Sequence, residues 1–180
     1  MLPIGPLMIE HRLIERMIRV MQSEVQRIEK SKKVDSVFIE TAVDFIRTYA
    51  DRCHHGKEED ILFRELKEKN VSVEHKQIMD QLVEDHKWGR RTTARLVEAN
   101  ESYRKGDESS LSTITECMRL LVEFYPKHIE VEDKRFFIPV MEYFSKNEKE
   151  AMLKEGYEFD QKLIHERYQN IVKRFEELRP

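Results

Sequence analysis

Residues 53–60 read CHHGKEED, two adjacent histidines ahead of two adjacent glutamates. His54 stands four residues before Glu58, and His55 four before Glu59. Residues four apart on a helix share a face, about one turn apart. Each pair therefore points a ring nitrogen and a carboxylate oxygen the same way, as a transition-metal site requires. Two exposed, salt-bridged histidines would look the same, so the surroundings must decide. Phe38, Ala42, Phe45 and Tyr49 lead into the stretch and Leu62 and Leu66 lead out of it at helical spacing. His54 and Glu58 thus occupy the apolar stripe of one long helix over about 35–69.

The same pattern recurs on both sides. A first helix from about Pro6 to Lys30 carries Leu7, His11, Ile14, Ile18, Met21, Val25 and Ile28. A third, N-capped by Ser72, carries Ile78, Leu82, His86, Gly89, Thr93 and Leu96 to about Arg104. A fourth carries Leu111, Ile114, Met118, Leu121, Tyr125, His128 and Glu132. A fifth, about 147–178, carries Tyr157, Ile164, Tyr168, Ile171 and Phe175. Short polar breaks such as SKKVDS, NVSVEH and KGDESS separate them. Long amphipathic helices with short connections predict an all-α, antiparallel up-down four-helix bundle over about 6–145. The fifth helix is an addition to it, and residues 1–180 read as one domain.

Composition agrees. Of 180 residues, 37% are charged, with five glycines and five prolines, the profile of a helical chain with few turns. A net charge of −3 gives no reason to expect nucleic acid or membrane as a partner. No apolar run reaches the length of a membrane span, and the start, MLPIGPLMIEHR, predicts no export signal. Two cysteines make no disulfide framework, so the expected compartment is the cytoplasm. Protein partners are unspecified by the sequence.

His11, His86 and His128 stand where their stripes call for apolar residues, and counting from the turns puts them at one level. From a turn near residue 32, His11 lies 21 residues back and His54 22 forward. From a turn near 71, Glu58 lies 13 back and His86 15 forward. From a turn near 106, His86 lies 20 back and His128 22 forward. At ~1.5 Å per residue, antiparallel helices bring these groups within a few ångströms of one layer. The layer sums to His11, His54, His55, His86, His128, Glu58 and Glu132. Five imidazoles and two carboxylates exceed one tetrahedral zinc and suit two octahedral ions with shared carboxylates. Nitrogen-rich ligation favours iron, manganese or zinc over magnesium or calcium.

His11, then HHGKEED, then VEDHKWGRR, then YPKHIEVED, resembles the hemerythrin-like, or HHE cation-binding, family. The resemblance implies a non-haem di-iron centre, with zinc or manganese as substitutes. His11, His54, His86 and His128 would be terminal ligands, with Glu58 and Glu132 as bridges. It implies O2 or another small diatomic or peroxide ligand, bound for sensing, storage or iron and redox handling. The alternative within the family is a di-iron redox enzyme acting on peroxide or nitric oxide, or repairing iron–sulfur centres. Two departures stand out. The family's O2 carriers place two histidines four apart on the third helix, but Leu82 and Arg90 flank His86 at that spacing; His55 is the candidate replacement. The carriers' bridging aspartate sits five residues after its histidine, here Asp133, whereas Glu132 sits four after His128 and is preferred. One iron would then take His11 and His54, the other His55, His86 and His128. Of the remaining groups, Glu59 reads as an acid behind a ligand or a solvated one, and His165 as a peripheral donor. His75 reads as solvated, Glu15 as a surface ion-pair partner and Cys53 as an inert thiol.

Overall fold

The computed structural model describes the backbone of residues 1–178 and the side chains of residues 1–163. The expectation for His165 lies outside the described side chains. Helix α1 spans Ile4–Ser31 and stops at Lys32, whose left-handed φ of 55° turns its amide back onto the Ile28 carbonyl. Asp35 caps the second rod by accepting from the amides of Val37 and Phe38. That rod, α2, covers 36–67. Ser72 caps α3, Val73–Arg104, by accepting from the amide of His75. Gly106 makes the next turn at φ +98°, a conformation few side chains tolerate. Helix α4 covers 110–143, and α5 is Lys146–Leu178. Among the described residues, no helix is long and apolar enough to cross a membrane.

Each helix of the first four packs on its chain neighbours, and α4 closes the ring against α1. Helix α5 lies against the middle of α2. Gly56 allows this approach: a Cβ there would sit 2.8 Å from the Phe159 ring. Of the stripe expected on α5, Ile164, Tyr168, Ile171 and Phe175 lie outside the described side chains; Tyr157 is 51% exposed, while Met152 is buried and Phe159 packs inward.

The structure departs from uniform α-helix where the layer falls. Ile46–His55 and Glu58–Phe63 of α2 are π-helical, as is Glu132–Phe136 of α4. A π turn closes i→i+5 and is wider than an α turn, so neighbouring side chains diverge less in direction. That is how His54 and His55, one residue apart, are both buried. Of the expected α2 stripe, Ala42, His54, Glu58, Leu62 and Leu66 are buried, while Phe38, Phe45 and Tyr49 are partly so and pack beside buried Ile39, Val43, Ile46 and Ala50.

Two apolar clusters fill the bundle. One contains Ile14, Met21, Ile39, Leu96, Ile114 and Leu121. The other contains Ile4, Phe63, Leu66, Leu82, Phe136 and Phe137. Between them lie His11, His54, His55, Glu58, His86, His128 and Glu132, all buried.

Candidate metal centre

Five imidazoles on four helices meet in this layer, and each has a carboxylate behind it. The Nδ1–H of His11 donates to Asp133 at 2.8 Å, that of His54 to Glu10 at 2.9 Å, and that of His86 to Glu59 at 2.7 Å. His55 faces Asp51 and His128 faces Asp85, each at 3.3 Å. An ionised carboxylate only accepts, so Nδ1 carries a proton and Nε2 is the ring atom turned to the layer, free to bind a metal once any proton of its own has left. The acids are themselves braced, Asp133 by Arg12, Glu10 by Lys57, Glu59 and Asp51 by Arg90, and Asp85 by Gln81. The arrangement is cyclic. Helix α4 supplies the acid for the α1 histidine, α1 for His54 on α2, α2 for α3, and α3 for α4. Glu10, Glu59, Asp85 and Asp133 each stand one residue from a layer residue on their own helix. That adjacency is the sequence signal for them; the sequence expectations cover only Glu59, as an acid behind a ligand or solvated, and Asp133, as a rival bridge.

The inward atoms form two groups. In the first, His11 Nε2 lies 2.8 Å from His54 Nε2 and 3.1 Å from Glu132 Oε2. His54 Nε2 lies 3.1 Å from Glu58 Oε1. In the second, His86 Nε2 lies 3.2 Å from Glu58 Oε2, and His128 Nε2 lies 3.0 Å from Glu132 Oε1. The His55 ring stacks on that of His86 at 3.9 Å. The ligand atoms of His11, His54, Glu58 and Glu132 lie within 4.8 Å of one another, as do those of His55, His86 and His128. Each glutamate thus turns one oxygen to each group.

These atoms fit metal ions rather than one another. Both oxygens of Glu58 and of Glu132, with Nε2 of His86 and His128, are buried without a hydrogen-bond partner among the described residues. Their separations are short, yet they lack hydrogen-bond alignment. The Nε2 atoms of His11 and His54 lie 2.8 Å apart and can share at most one proton between them. Metal–ligand bonds of ~2.0–2.2 Å at right angles put neighbouring donor atoms about 3 Å apart, which matches the separations found. Imidazoles with carboxylates are a donor set for borderline transition metals.

The electrostatics also call for cations. Burial opposes charge on all these groups, but mutual pairing overrides it for most. Burial pulls the His11 pKa down, yet Asp133 and Glu132 raise it to about 10. For His86, Glu132, Glu58 and Glu59 outweigh burial and raise it to about 11. Burial and the charge of His86 push His55 the other way, to about 4. Glu58 falls to about 2 despite burial and the neighbouring Glu132, because His54 and His86 hold its charge. In the metal-free layer, protons on imidazoles balance the two carboxylates, and bound metal would displace them.

All seven residues singled out from the sequence are therefore brought together. Of the rival acids, Glu132 turns inward and Asp133 turns outward, onto His11 and Arg12. Glu15 pairs with Arg12 at 3.1 Å. His75 is not simply solvated as expected, because its ring is half-buried against Tyr143, whose hydroxyl lies 2.9 Å from Nδ1. Cys53 donates to Asp160 at 3.3 Å, and burial pushes its thiol up to about 12. Glu10, Cys53 and Asp160 also have ligand atoms in mutual range. There the Lys57 ammonium already bridges Glu10 and Asp160, the latter at 2.8 Å.

One family matches the chain, described as the hemerythrin HHE cation binding domain, over residues 2–167 of 180. The match runs past the four-helix ring into α5. No curated protein and no solved structure gives a significant match.

Proposed function

Because the chain belongs to the hemerythrin HHE cation-binding family, we propose that it holds two iron ions between its four bundle helices. We propose further that it binds O2 or a related small ligand there, for sensing, storage or iron and redox handling. The observation that carries two ions rather than one is the division of both buried glutamates. Glu58 and Glu132 each offer one oxygen to His11 and His54 and the other to the side of His86 and His128. The proposed terminal ligands are His11 and His54 on one ion and His55, His86 and His128 on the other. An iron pair, when bound, supplies one-electron redox change and a position for a small exogenous ligand. Zinc or manganese would suit the same donors.

The chain's own contribution is orientation and exclusion. The backing acids fix each ring's tautomer and aim. Phe137 lies parallel to His11 at 5.6 Å, and Phe63 parallel to His86 at 6.2 Å, which blocks rotation of the rings. Ile14 and Leu62, 1% and 4% exposed, keep water from the flanks. The enzymatic alternative draws no support from the thiols, since burial raises the pKa of both Cys53 and Cys117. Both cysteines are free, in keeping with a proposed cytoplasmic location.

Elemental analysis of protein expressed with ample iron is the direct test. About two ions per chain, mainly iron, are expected. A metal-free protein would remove this reading, and zinc alone would remove its redox half. A second expectation concerns His55, because helix α3 offers no other histidine near His86. His55→Ala should lower metal content toward one ion and alter the optical spectrum. Full content with an unchanged spectrum would assign that coordination position to another group.

A further inference from the structure

Helix α3 follows His86 with two residues that leave room, Gly89 and Thr93. Gly89 has no side chain, and a Cβ there would still lie 3.8 Å from its nearest neighbour, Phe124. The Thr93 hydroxyl turns away to donate to the Gly89 carbonyl at 2.8 Å. The result is a cleft of about 330 Å³ between α2, α3 and α4, open to solvent and reaching His55 and His86. This lies within the range for a small-molecule site.

The lining has a definite chemical sense. Tyr125, 2% exposed, lies on its wall. Its hydroxyl makes no hydrogen bond among the described residues, an uncommon state for so buried a tyrosine. Burial pushes that phenol's pKa up, so it remains a donor. Arg47, Arg52 and Arg90 also line the cleft, against one acid, Asp51. That acid is engaged: Oδ1 of Asp51 faces Nδ1 of His55 at 3.3 Å and accepts from Nε of Arg90 at 2.8 Å. Arg90 is held by Asp51 and by Glu59, but three guanidinium groups against one lining acid still leave the walls net positive, and positive walls around a cleft concentrate anions.

We infer that this cleft is the access route and holding site for a small inorganic anion, bound beside His55 and His86 by a hydrogen bond from the Tyr125 hydroxyl. The inference rests on the metal-centre reading for its purpose, but the anion is held by the chain's own donors. It gives the proposed centre a side from which a ligand arrives, through α2, α3 and α4 rather than past Ile14 and Leu62. It also gives the centre a preferred ligand charge.

Azide serves as the probe. Backbone amide NMR signals would be followed on the zinc-loaded and the metal-free protein, with metal content measured for every sample. Saturable shifts centred on Gly89, Thr93 and Tyr125 are expected. Tyr125→Phe keeps the ring and removes only the donor. Loss of one hydrogen bond to a charged group should weaken azide binding about tenfold or more. Arg47→Gln, on an exposed side chain, should weaken it by a smaller factor that shrinks as salt is added. Absence of saturable shifts at these amides, or equal azide affinity in wild type and Tyr125→Phe, would overturn the inference. The metal content tells a failed metal centre from a failed cleft. A protein with two ions and no azide response sinks only the cleft. One without metal but with the Tyr125-dependent response sinks only the centre.

Discussion

Glu58→Ala should reduce metal content from about two ions per chain to one or none, a larger loss than removal of any one terminal histidine. An imidazole supports one ion, whereas Glu58 offers an oxygen to each group, 3.1 Å from His54 and 3.2 Å from His86. Its charge also offsets repulsion between two cations a few ångströms apart. The absorption of an oxo- or hydroxo-bridged ferric pair should vanish with it. Glu58→Gln, which keeps the shape and one oxygen but not the charge, should fall between the two. Circular dichroism should stay helical in both variants, because two apolar clusters hold the helices on either side of the layer. A bridged spectrum unaltered in Glu58→Ala would refute the bridging assignment.

Stripping the metal from wild-type protein should have the second largest effect, this time on stability. A ligand bound only by the folded state stabilises it by about 4 kcal/mol when present at a thousandfold its dissociation constant. For a chain of this size that corresponds to roughly 8–16 °C in Tm. The loss should be local as well as global. Glu58, Glu132, His86 and His128 would keep buried polar atoms without partners. Hydrogen exchange should therefore speed up more near His54 and His86 than near Ile28 or Ile114, deep in one apolar cluster. Chelation that removes all metal and leaves Tm and exchange unchanged would show that the layer is stable without ions.

The stripes on α1 and α3 were legible because both are regular α-helices, where a 3.6-residue period names the buried face. Every residue from Leu7 to Ile28 on that period is buried. On α2 the same period holds at Ala42, His54, Glu58, Leu62 and Leu66 and slips in between. Its π-helical turns move the buried face from Phe45 and Tyr49 to Ile46 and Ala50, and no propensity in the chain announces them. The layer itself could be read, since histidines at apolar positions level with one another are conspicuous. Glu10 and Asp85 carry no such mark, because a charge beside a stripe looks like any solvated charge until the facing helix is known, and Asp133 stands out in the sequence only as a rival bridge to Glu132. The inward face of α5 was missed for a related reason: Phe159 finds its contact only through the absence of a side chain at Gly56. The cleft beside Tyr125 depends on space between three helices, which no single stretch of sequence records.

The polar layer between two apolar clusters bears on how the helices find their alignment. Leucine, isoleucine and methionine are nearly interchangeable packing surfaces, so a bundle built of them alone tolerates slippage by a turn along its axis. Here a slip of one turn in any single helix would press a histidine or glutamate into the facing hydrocarbon and leave its backing acid alone. A lone buried polar group costs several kcal/mol, and a single polar position can fix register in a helical assembly. The cyclic hand-off of acids extends that lock to all four helices at once, since each must match both of its neighbours. The layer is thus a keyway for assembly: the chain can align its rods before any ion arrives, and the ion then finds its donors already in line.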